Sequence, residues 1–91
     1  MNSKMGPEYL SAARGDTIGE INLHWDPVEG AKYYIIQASR GKNKWKEIDI
    51  INRPIYTASQ LKSGKEYSFR IAAVGSGGQS VWSEAVAKKS P

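Results

Sequence analysis

The sequence predicts an all-β fold, a seven-stranded antiparallel sandwich. Three observations carry this. Apolar and polar residues alternate with period two in short runs, the signature of half-buried strands. Turn residues separate those runs every 8–12 residues or so, the spacing of sandwiches and barrels. No stretch shows the 3.6-residue period of an amphipathic helix.

The strands can be read in order. A first strand precedes a connection that runs from about Arg14 to Gly19. Ile21, Leu23 and Trp25 alternate with Asn22 and His24 in the second, which stops at Asp26-Pro27 before a turn at Glu29-Gly30. In the third, Tyr34, Ile36 and Ala38 share one face, and Tyr33, Ile35 and Gln37 the other. Gly41-Lys42-Asn43-Lys44 turns the chain into a fourth, where Trp45, Glu47 and Asp49 alternate with Lys46, Ile48 and Ile50. Asn52-Arg53-Pro54 breaks it, and a β-rich stretch containing Tyr56 and Thr57 follows. After Ser63-Gly64, Tyr67, Phe69, Ile71 and Ala73 give the longest clean alternation. Gly75-Ser76-Gly77-Gly78 reads as a flexible loop, and residues 81–87 as a final strand. The first, second and fifth strands are expected to face the rest. Residues 1–7 read as a linker or appended tail, 8–88 as the domain and 89–91 as a second tail.

Composition narrows the function. A chain of 91 residues that is 40% hydrophobic can pack one small core. It has no cysteine, which excludes a disulfide framework and any cysteine-based metal site. Its net charge of +4 comes from basic residues scattered along the chain, with one denser group over residues 40–46. That falls short of the stripe expected of a nucleic-acid binder. No apolar run approaches membrane-spanning length, and residues 1–10 carry no apolar core of a signal peptide.

Several segments together resemble the fibronectin type III family, over nearly all of the patterned chain. Gly19-Glu20-Ile21-Asn22-Leu23-His24-Trp25-Asp26-Pro27 is similar to the family's second strand, with its core Trp followed by Pro. Gly30-Ala31-Lys32-Tyr33-Tyr34-Ile35-Ile36-Gln37 is similar to the third. Leu61, Gly64 and Tyr67 match the Leu-x-x-Gly-x-x-Tyr corner, although Ser63 stands where many relatives carry Pro. The Gly-Ala-x-x-Tyr and Gly-x-x-x-Trp-Ser wording is closest to bacterial members. The resemblance implies an immunoglobulin-like core built on Trp25, Tyr34, Leu61, Tyr67 and Phe69, with Tyr67 as a tyrosine corner whose hydroxyl bonds backbone. It further implies a non-catalytic, monomeric interaction or spacer module of a larger protein, in an extracellular or cell-surface setting. Cofactors, metals, membranes and nucleic acid are not expected partners. A protein or neighbouring domain is.

The residues themselves offer few sites. His24 is the one histidine and is flanked by inward-facing residues, so it points to solvent. No carboxylates have metal-loop spacing, and the glycine-rich stretch lacks the Lys and helix of a phosphate cradle. No catalytic, cofactor or metal residue is assigned. Candidate partner contacts are Tyr33 and Trp45 on an outer sheet face, and Gly75, Ser76, Gly77, Gly78 and Gln79 in the tip loop. Exposed aromatics fit protein or sugar contact, which opens an alternative as a carbohydrate-contact module of a polysaccharide-acting enzyme. Arg14-Gly15-Asp16 spells an integrin-read tripeptide and opens a second, adhesive alternative. Here it lies between the first and second strands, with Ala13 and Ile18 expected to turn inward and tie it down. Arg70 should point outward and stack on Trp82.

Overall fold

The computed structural model describes residues 6–41 and 44–91. Residues 1–5 of the expected leading tail, and residues 42 and 43 of the expected turn, lie outside the described residues. Eight strands form among the described residues: β1 (Ser11–Arg14), β2 (Ile21–His24), β3 (Ala31–Ser39), β4 (Lys46–Ile51), β5 (Ile55–Ala58), β6 (Glu66–Gly75), β7 (Gly78–Gln79) and β8 (Val86–Lys89). One sheet runs β1-β2-β5; the other runs β4-β3-β6, with both β7 and β8 paired to β6. All the pairings are antiparallel.

Alternation on each strand sends one set of side chains between the sheets. Ile21, Leu23, Trp25, Tyr34, Ile36, Ala58, Tyr67, Phe69, Ile71 and Ala73 form the buried core, with Leu61 packed against it. Trp25 meets Tyr34 edge-to-face at a centroid separation of 5.3 Å, a favoured geometry for aromatic rings. The buried Trp25 indole N–H finds no acceptor among the described residues.

Two strands depart from the sequence reading. In β4 the register shifts opposite Ile36 and Gln37, which pair with Asp49 and Glu47 and leave Ile48 without a partner. This bulge resets the phase of the strand. Ile48 and Ile51 both pack on the core, while Ile50 is exposed on the outer face. The final strand expected over residues 81–87 begins only at Val86, as β8, and a short β7 forms earlier, at Gly78–Gln79. Between them the Ile71 and Ala73 amides donate to the hydroxyls of Ser83 and Ser80 at 3.0 and 2.9 Å. The Ser80 and Ser83 amides donate back to the Ala73 and Ile71 carbonyls, both at 2.8 Å. Three residues of chain thus span two residues of β6, so the segment cannot keep strand pleat. At the far end Lys89 still pairs with Glu66, and Ser90 is buried.

Candidate interaction surfaces

The outer face of the β3–β6 sheet carries the most built arrangement outside the core. Gln37 and Arg70 are directly opposite each other across β3 and β6. The Arg70 Nε–H donates to Gln37 Oε1 at 2.8 Å, which fixes the guanidinium plane. That plane lies 4.3 Å from the Trp45 ring centroid and 4.6 Å from that of Trp82. Arg70 is therefore held between two indoles, one from the β3–β4 connection and one from the serine-paired segment. Each contact is worth about 0.5–1 kcal/mol at a partly exposed site. Tyr33 is four residues from Gln37 on the same face, roughly 13 Å along the strand. Trp45 and Tyr33 do not form one continuous aromatic platform, because the Trp45 ring is engaged by Arg70.

Two tyrosine hydroxyls close the two ends of the sandwich. The Tyr67 hydroxyl accepts from the Lys62 amide at 2.8 Å, which makes the tyrosine corner. The Tyr34 hydroxyl accepts from the Val28 amide at 2.9 Å and ties down the β2–β3 connection. Beside that connection, residues 75–79 form a tight hairpin rather than the expected flexible loop. Gly75 pairs with Gly78, leaving Ser76 and Gly77 as a two-residue turn. A Cβ on Gly75 would sit 2.6 Å from the Gly30 carbonyl oxygen, so glycine is required where the two connections touch.

A family model for the fibronectin type III domain matches residues 6–89. The chain belongs to the fibronectin type III family. Solved structures agree on the fold. An Fn3-like protein from Clostridium thermocellum superposes with a TM-score of 0.86 at 24% identity, covering 94% of this chain and 92% of that one. Domains A168–A170 from titin give 0.81 at 22% identity, covering 97% of this chain and 32% of that one. The twitchin kinase region from C. elegans gives 0.79 at 23% identity, covering 93% of this chain and 16% of that one.

Within this fibronectin type III domain, Arg14-Gly15-Asp16 begins the β1–β2 hairpin. Gly15 donates to the Glu20 carbonyl at 2.8 Å, and a Cβ there would lie 2.5 Å from the Glu20 Cβ. Close packing of the hairpin arms accounts for this glycine. Ala13 and Ile18 do not turn inward as expected: both are exposed, Ile18 by 76%. The hairpin is held instead by backbone, with the Gly19 amide on the Pro91 carbonyl and the Leu61 amide on the Gly19 carbonyl, both at 3.0 Å. His24 is exposed as expected, and its Nε2 lies 2.6 Å from Ser11 Oγ. The pair is a cross-strand neighbour in register on an open face. One feature was not read from sequence. A cleft between β4 and β5 joins Arg40, Lys44 and Lys46 to Tyr56 and Leu61. The basic group over residues 40–46 was the signal, but nothing local announces that β5 lies alongside.

Proposed function

We propose that this domain is a non-catalytic spacer and interaction module of a longer, bacterial protein. One observation carries the spacer reading. The chain comes in beside the β2–β3 connection, where the Glu8 carbonyl accepts from the Asp26 amide at 2.9 Å. It leaves beside the β1–β2 hairpin at the other end, where Pro91 meets Gly19. The two ends are separated along the strands of a body 43 Å long. Modules with this arrangement joined in series extend a chain and do not fold it back. The bacterial setting is supported by the Gly30-Ala31-x-x-Tyr34 and Gly78-x-x-x-Trp82-Ser83 wording, and by the likeness to the Clostridium thermocellum protein.

The test is small-angle X-ray scattering of one, two and three copies joined head to tail. The maximum dimension is expected to grow with each copy by nearly the long dimension of 43 Å. A three-copy chain whose maximum dimension stays near that of one copy would contradict the spacer reading.

A further inference from the structure

β4 and β5 end their respective sheets: among the described residues, β4 pairs only with β3, and β5 only with β2. Between them lies a cleft of about 710 Å³, within the size range of ligand sites. Its apolar wall is Ile48, Tyr56 and Leu61, and its charged rim is Arg40, Lys44 and Lys46. No acidic side chain lines it among the described residues. Arg40 lies 5.9 Å over the ring of Tyr67 and is otherwise exposed. Asp49 is set beside the Tyr56 hydroxyl, whose pKa is raised first by burial and then by that carboxylate. Among the described lining residues these three cations stand without a carboxylate, and an anion placed among them relieves their mutual repulsion.

We propose that this cleft binds an acidic peptide segment in extended conformation. Each part of the site matches one part of such a ligand. The strand edges bordering the cleft offer backbone N–H and C=O groups for strand addition. The wall of Ile48, Tyr56 and Leu61 receives an apolar side chain of the peptide. Alternate carboxylates reach Arg40, Lys44 and Lys46. A sulfated polysaccharide would use the rim alone and leave both the wall and the strand edges unfilled, so a peptide is the better occupant. The site is separate from the spacer geometry and stands or falls without it.

The probe is a capped peptide of alternating Glu and Val, about eight residues long, the length of a strand that such an edge accepts. The whole chain, labelled with nitrogen-15, is titrated with it and followed by NMR. Saturable amide shifts are expected in β4, in β5 and around Leu61, and none with the same peptide carrying Lys for Glu. Reversing the rim with Arg40→Glu and Lys46→Glu should weaken binding at least about tenfold with the melting temperature retained. Lys46→Gln alone should weaken it less, in the same direction. Shifts confined to the Arg70 face, an equal response to the Lys peptide, or binding of a sulfated oligosaccharide without binding of the Glu peptide would each overturn the proposal.

Discussion

The two faces of β6 are built from alternate residues and obey different physics. Phe69 and Ile71 point inward and are completely buried among aliphatic and aromatic neighbours. Arg70, between them, points outward and is held by a glutamine and two indoles. The inner face is stabilised by removing apolar surface from water, about 25 cal/mol per Å², and by close packing that punishes any void. The outer face is stabilised by directed contacts that water and salt weaken. Ala72 shows that the outer face is also covered, since it is fully buried yet stands outside the core cluster. The lesson is that burial in this domain arises in two ways, and only one of them carries the fold.

That contrast can be broken by substitution. Trp25→Ala removes the largest inner side chain and its edge-to-face contact with Tyr34, and should cost about 3–5 kcal/mol. Urea unfolding measures this, and a loss below about 1 kcal/mol would remove Trp25 from the core. Tyr67→Phe keeps the ring and deletes the hydroxyl that accepts from Lys62. The expected loss is about 1–2 kcal/mol, checked by the same unfolding curve, because one backbone amide loses its partner. Asp16→Glu should change neither stability nor adhesion. Its carboxylate is exposed, and the hairpin that carries it is pinned beside the chain's exit. Cell adhesion to the immobilised domain checks this. Cation-dependent adhesion that the substitution abolishes would instead favour the adhesive reading.

The inner face was legible because its code is local. Tyr34, Ile36, Phe69 and Ile71 alternate along their own strands, and period two alone assigns them inward. The Tyr67 corner was legible through the resemblance carried by Leu61, Gly64 and Tyr67. The outer face was half legible. Alternation sent Arg70 outward and its stacking on Trp82 was expected, but Trp45 joins the same guanidinium from another connection. Alternation had placed Trp45 outward as well; what it could not give is the register that brings β4's start beside Arg70, since pairing between strands is not written in either strand alone. The late start of the last strand was hidden for a similar reason: Ser80 and Ser83 look like ordinary strand residues until their hydroxyls are seen taking the β6 amides. Gly75-Ser76-Gly77-Gly78 looked flexible by composition, although two glycines placed across a two-residue turn serve a tight hairpin equally well.

Phe69 and Arg70 make the sharpest test, being neighbours in β6 on opposite faces. Urea unfolding of Phe69→Ala and Arg70→Ala under one set of conditions compares the two kinds of burial directly. Phe69→Ala is expected to lose about 3–5 kcal/mol through the cavity it leaves. Arg70→Ala is expected to lose about 1.5–3.5 kcal/mol, the sum of two partly exposed cation–π contacts and one side-chain hydrogen bond. Equal losses, or a greater loss at Arg70, would contradict the claim that the inner face alone carries the fold and leaves the outer face free for contacts.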